Sequence, residues 1–131
     1  MPRRFVIQFH DAPSGVHYDL MLEDGAALAT WRLASMPAEA GRCGRMAARK
    51  LADHRLAYLS YEGPVTGGRG AVRIAESGTW VALERGESLW RVELAGESVR
   101  GRYVLRRVSG QHWELIGPEG PARSGASAGP E

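Results

Sequence analysis

Residues 10–23 read HDAPSGVHYDLMLE. The segment opens on a histidine, crosses a proline–serine–glycine turn signal, and continues as a run in which ionisable and apolar side chains alternate. A period of two marks a strand with one face turned to a core. Val16, Tyr18, Leu20 and Leu22 fall on one apolar face, and His17, Asp19, Met21 and Glu23 fall on the other. The preceding run, RRFVIQFH at 3–10, is strand-like too. The DAPSG turn between them folds His10 back towards His17.

Working outward, most of the chain reads the same way. ALATWRL (27–33), AVRIAE (71–76), TWVALE (79–84), SLWRVELA (88–95), SVRGRYVLRR (98–107) and QHWELI (111–116) are short strand-like runs. They are bounded by the turn signals EDG, ESG, ERGE, AGE and VSGQ. In SLWRVELA, Leu89, Trp90, Val92 and Leu94 against Arg91 and Glu93 approach clean alternation, as in a half-buried antiparallel strand. The region from about Pro37 to Ala52 has helical composition, interrupted by Gly41 and Gly44. Many short strands with tight connections predict a compact antiparallel β-barrel, since parallel crossovers need longer connections. Residues 1–116 form that domain. Residues 117–131, GPEGPARSGASAGPE, have little to bury and read as a disordered tail.

A chain of 131 residues, 44% hydrophobic, suits one domain with a real core. No run approaches the roughly 18 apolar residues of a membrane span. The basic opening MPRRFVIQFHD has too short an apolar run for a signal peptide. Both point to the cytoplasm and to no membrane partner. The single cysteine, Cys43, excludes an internal disulfide and a multi-cysteine zinc site, and it is assigned no role. The net charge is only +2. Lys50 is the one lysine among seventeen basic residues, the rest being arginine. Arginine suits bidentate phosphate contacts, although arginine-favouring codons explain the same bias.

His17 and Asp19 lie about 7 Å apart along their strand. With His10 they form a compact set of two imidazoles and a carboxylate that leaves coordination positions open, as a catalytic metal requires. Nitrogen and oxygen donors without thiolate fit manganese or zinc better than calcium. A solvated strand face accounts for the same residues. His54 and Tyr58, four residues apart, are able to donate to a phosphate oxygen, or form a surface turn. His112, beside Trp113, reads as a surface residue. The loop at 62–72, EGPVTGGRGAV, frees backbone N–H groups at its glycines and adds Arg69. It suits an anion or a plain turn, and it is no P-loop, because no GK[ST] follows.

The order FVIQFHD…HYDLMLE, TW, ADHRLAYLSYEG, GTW, VELAGESVRGRYVLRR and WELI, from about Phe5 to Ile116, resembles the 3′-phosphoesterase domain of bacterial DNA ligase D and its free-standing relatives. The resemblance implies a β-barrel with one or two short flanking helices. It implies a manganese-dependent enzyme that removes a 3′ ribonucleoside and then the 3′-phosphate from DNA ends in double-strand-break repair. The implied metal ligands are His10, His17 and Asp19, and the implied phosphate-contacting pair is His54 and Tyr58. The implied partners are DNA 3′ ends and a ligase or polymerase of end joining.

The departures lie in the phosphate clamp. The family's arginine two places after the aspartate is Met21 here, and its lysine after the strand tryptophan falls at or beside Ser35. Its arginine eight before the second-motif histidine falls at Met46, and its acidic residue two before that histidine is Ala52. Arg32, Arg49, Arg69 and Arg73 are the candidates to replace the lost cations. Three functions follow as expectations. The first is a metal-dependent phosphoesterase acting as a monomer on DNA 3′ ends, with His54 and Tyr58 as catalytic residues. The second is a degenerate relative that binds DNA ends or a repair partner without chemistry. The third keeps the metal, manganese first and zinc second, and acts on a small phosphoester.

Overall fold

The computed structural model describes residues 2–37 and 44–119. Among the described residues there are nine strands: β1 (Arg3–Ala12), β2 (Gly15–Asp24), β3 (Ala27–Leu33), β4 (Gly44–Arg55), β5 (Gly63–Pro64), β6 (Ala71–Arg85), β7 (Leu89–Gly96), β8 (Arg100–Ser109) and β9 (His112–Gly117). They hydrogen-bond in the order β1-β2-β3-β4-β9-β8-β7-β6-β5, and β1 also pairs with β6, so eight strands close into a ring with β5 as an appendage. Every pairing is antiparallel. Closure removes the open edges that a long flat sheet would expose.

One apolar cluster draws residues from all eight ring strands: Phe5 and Ile7, Leu20 and Leu22, Trp31 and Leu33, Ala48, Trp80, Trp90, Val92 and Leu94, Tyr103 and Leu105, Trp113 and Leu115. A cluster common to every strand of a closed ring is its lumen. Trp31 lies at its centre, edge-on to Trp90 and Trp113 at centroid distances of 5.1 and 5.6 Å. Side chains of opposite parity therefore face outward. On β1, β2 and β3 that outer face carries a second, smaller cluster of Val6, Met21 and Leu28, capped by Leu59 of the 3-10 turn Leu56–Leu59.

Two sequence expectations need correction. The stretch 44–52 is strand and not helix: β4 runs to Arg55 and pairs with β3 on one side and β9 on the other. Its alanines, arginines and methionine favour a helix locally, but two flanking strands offer a full backbone ladder, and pairing prevails over propensity. Residues 38–43, including Cys43, lie outside the described residues, and no α-helix occurs among the described ones. ESG at 76–78 is no turn either, because β6 runs straight through it. Gly78 is needed there for closeness: a Cβ would sit 2.2 Å from the Ala95 carbonyl oxygen of β7. Beside it Glu76, 5% exposed, accepts from the backbone N–H groups of Ser98 and Val99 and from the Ser98 hydroxyl, tying down the β7–β8 connection.

The tail assigned to 117–131 starts one residue too early, since Gly117 is the last residue of β9 and Glu119 N–H still donates to the Arg102 carbonyl; 120–131 lie outside the described residues. Among the described residues no helix is long and apolar enough to cross a membrane.

Candidate metal centre

The β1–β2 register sets the centre. His10 is the Cα partner of His17, and Gln8 is the partner of Asp19. Partners in an antiparallel pair project to the same face, so His10, His17 and Asp19 all lie on the outer face beside the Val6–Met21 cluster. Their ligand atoms fall within 4.8 Å of one another. His10 Nδ1 is 2.8 Å from His17 Nε2 and 4.0 Å from Asp19 Oδ2.

The surrounding contacts prepare these groups. His10 Nε2 donates to the Arg69 carbonyl at 2.7 Å. A carbonyl only accepts, so the His10 proton resides on Nε2 and the Nδ1 lone pair faces His17 and Asp19. Backbone carbonyls hold metal-binding histidines in this manner. The carbonyl is brought there by the glycine-rich loop. Gly67, Gly68 and Gly70 all have positive φ. At Gly70 a Cβ would meet the Asp11 carbonyl oxygen at 2.0 Å, so the loop lies directly on the end of β1. Burial is the main cause that lowers the pKa of His17 below its usual value; the Asp19 charge opposes this, while Arg32 and His10 add to it. The lowered pKa keeps that imidazole neutral; because His10 Nδ1 is the acceptor, His17 Nε2–H is the donor across the 2.8 Å contact, a proton that binding of a cation would displace.

Asp19 is 3% exposed. A buried carboxylate needs partners, and Arg32 on β3 supplies them as a fork: Nε to Oδ1 at 3.0 Å and Nη2 to Oδ2 at 3.3 Å. Arg32 is the Cα partner of Asp19 across β2–β3.

His54 and Tyr58 come to the same place from the end of β4 and the 3-10 turn. Their rings stand edge-to-face with centroids 5.7 Å apart. His54 Nδ1 donates to the Ala52 carbonyl at 3.0 Å, which leaves Nε2 for other work. Gln8, 1% exposed, fixes the turn by donating from Nε2 to the Tyr58 and Tyr61 carbonyls at 3.0 Å each. The sequence reading missed Gln8. The one available signal was a polar residue in an otherwise apolar run, FVIQF.

A cavity of about 420 Å³ opens over these groups, lined by His10, His17, Asp19, Arg32, His54, Tyr58 and Arg69, with Met21 in its floor. Of the four candidate arginines, Arg32 and Arg69 line it. Arg49 does not; its guanidinium donates to the Gln111 side-chain oxygen at 3.1 Å. Arg73 does not either; it is exposed and stacks over the Phe9 ring at 4.8 Å. Met21 is 1% exposed and packs with Val6, Leu28 and Leu59, so it has an apolar duty in this barrel.

Comparison with known proteins shows the family. The model of the DNA ligase D 3′-phosphoesterase domain matches residues 8–107. The chain is 31% identical over 136 positions to the multifunctional non-homologous end joining protein LigD of Pseudomonas aeruginosa, covering 92% of the chain and 16% of that protein. It is 33% identical over 118 positions to LigD proteins of Mycobacterium bovis and Mycobacterium tuberculosis, covering 83% of the chain and 15% of each. The chain thus spans about a sixth of the length of these relatives.

Proposed function

The chain belongs to the DNA ligase D 3′-phosphoesterase domain family, and on that premise we propose that it is a divalent-metal-dependent phosphoesterase that trims the 3′ ends of DNA during end joining. The observation that carries this reading is the approach of two imidazole nitrogens and a buried carboxylate to within 4.8 Å on one cavity wall. That donor set fits a divalent cation, with His10 Nδ1, His17 Nε2 and Asp19 as ligands. Nitrogen and oxygen donors without thiolate fit manganese first and zinc second.

When bound, the cation supplies Lewis-acid neutralisation of phosphoryl charge. The chain's own residues do the rest. Arg32 holds Asp19 in its ligating orientation and brings positive charge to the phosphate, and Arg69 adds a second cation from the loop. Tyr58 donates a hydrogen bond from its hydroxyl to a phosphoryl oxygen. As water adds to phosphorus and the bond to the departing oxygen breaks, His54 delivers a proton from Nε2 to that oxygen, and the proton shed by the water passes to solvent, from which His54 is reprotonated. The products are a 3′-hydroxyl and inorganic phosphate from a 3′-phosphate end, or a 3′-phosphate and a nucleoside from a ribonucleoside end. The module acts as a monomer alongside a ligase or polymerase of end joining.

One observation favours a second reading, a DNA-end-binding relative without chemistry: Met21 places a buried thioether at the floor of the cavity where a cation is expected. A single experiment separates the two. Incubation with manganese and a 3′-phosphate oligonucleotide releases phosphate, and His17→Ala abolishes release. Salt-dependent DNA binding with no release under saturating manganese overturns the enzymatic reading in favour of the second.

A further inference from the structure

Strand registers align one row of residues around the outside of the barrel. Asp19 on β2 is opposite Arg32 on β3, Arg32 is opposite Arg49 on β4, and Arg49 is opposite His112 on β9. Ala48 and Trp113, the chain neighbours of Arg49 and His112, point into the lumen, so Arg49 and His112 point outward. Arg49, Gln111 and His112 are exposed. Among the described residues the Arg49 guanidinium meets only the neutral amide of Gln111, so its charge is not offset. The row crosses three strand spacings, about 14 Å. Phosphates on one strand of a duplex recur about every 3.4 Å along its axis, so the row is long enough to meet more than one.

The other ways out of the cavity are less suited to a polyanion. The far end of β2 presents Glu23 and Asp24, already engaged by Arg4 and Arg85. Towards β5 and β6 stand Asp11 and the Glu62 carboxylate, which accepts from the Ile74 N–H. Among the described residues, the β3–β4–β9 direction leads from Asp19 through cationic and hydrogen-bonding groups with no further carboxylate in the row.

We propose that Arg49, Gln111 and His112, continuing from Arg32, form the track along which the sugar–phosphate backbone of the substrate strand leaves the site. This rests on the phosphoesterase reading: with the 3′ end in the cavity, the track holds the phosphates on its 5′ side. It gives His112 and Gln111 a duty that neither the metal centre nor the core requires. The contacts are to backbone phosphate, so the track holds any sequence alike.

The test is binding of a fluorescent 3′-phosphate dodecanucleotide across a salt series. Arg49→Glu weakens binding roughly tenfold or more, the share of one charged hydrogen bond. Arg49→Ala lowers the slope of log affinity against log salt by about one. Arg91→Glu removes the same charge from the exposed face of β7, away from the row, and leaves affinity unchanged. Equal losses in the Arg49 and Arg91 variants would mean that only net charge matters, and would overturn the track. So would wild-type affinity in Arg49→Glu when the unaltered protein releases phosphate; in that case the phosphoesterase reading stands. If the unaltered protein neither binds the strand nor releases phosphate, that reading fails and the track with it.

Discussion

His10 Nδ1 and His17 Nε2 stand 2.8 Å apart because the two residues are register partners on the outer face of the β1–β2 hairpin. Antiparallel pairing makes their approach a property of the backbone ladder, so the pair persists without metal. His17→Ala removes one donor from a preformed set and leaves the barrel core untouched. Manganese affinity by calorimetry is expected to fall at least about a hundredfold, since even supporting contacts around a metal are worth ten- to a hundredfold.

The loop behind His10 supports the centre without contributing a ligand atom. Gly70 has φ +89°, and a Cβ there would overlap the Asp11 carbonyl. Gly70→Ala must therefore push the loop off β1 and withdraw the Arg69 carbonyl from His10 Nε2. The expected result is a loss of about 1–3 kcal/mol in denaturant unfolding together with ten- to hundredfold weaker metal binding. Unchanged metal affinity would show that His10 keeps its orientation without the loop.

Gln8 spends both of its amide hydrogens on the Tyr58 and Tyr61 carbonyls. Gln8→Leu fills the space and strands two carbonyls, at about 1–3 kcal/mol for each one left buried and unsatisfied. Because those carbonyls hold the 3-10 turn that carries Tyr58, the loss in kcat is expected to exceed the change in metal affinity. A matched fall in both would place Gln8 at the ligands instead.

Met21 tests whether the missing arginine can simply be restored. Met21→Leu conserves volume within the Val6, Leu28 and Leu59 cluster and should cost less than about 1.5 kcal/mol. Met21→Arg must carry a guanidinium out of that cluster into the cavity, and is expected to destabilise by about 3 kcal/mol or more. Arg32 already occupies Asp19, so turnover should not rise. A large gain in turnover would show that the cavity lacks a cation that Arg32 and Arg69 do not replace.

Acid should act on the centre through His17. Its folded pKa is depressed, chiefly by burial, so the unfolded chain binds its proton first as pH falls. The contribution to stability is full above about pH 6.5, the unfolded value, and is lost as pH drops through the lower folded value. Metal binding, which needs the neutral ring, should therefore persist to a lower pH than a free imidazole allows. Imidazole NMR titration of the metal-free protein checks this, and a midpoint at or above 6.5 for His17 contradicts it.

The strands around the centre were legible because they are half-buried. In LWRVEL every second residue faces the lumen and its neighbours face solvent, while HYDLML alternates apolar lumen residues with the site's own side chains, which are buried or half-buried on the outer face. β4 was not legible. GRMAARKLADHR alternates poorly, and its strand state comes from pairing with β3 and β9, neither adjacent in local composition. The join of two runs into one β6 was hidden for a related reason: Gly78 answers a close approach by β7, a long-range fact that reads locally as a turn.

For the site, the sequence by itself determined that His10, His17 and Asp19 share a face, since strand alternation and a short hairpin leave little choice. It also placed His54 and Tyr58 near one another. Only the tertiary structure decided which groups serve them: the Arg32 fork on Asp19, the Arg69 carbonyl on His10, the Gln8 amide under the turn, and the apolar seat of Met21. Local periodicity reports the direction in which a side chain points, because that follows from the backbone's own repeat. What it points at depends on ring closure and on registers between distant segments, and those follow from the packing of the whole barrel.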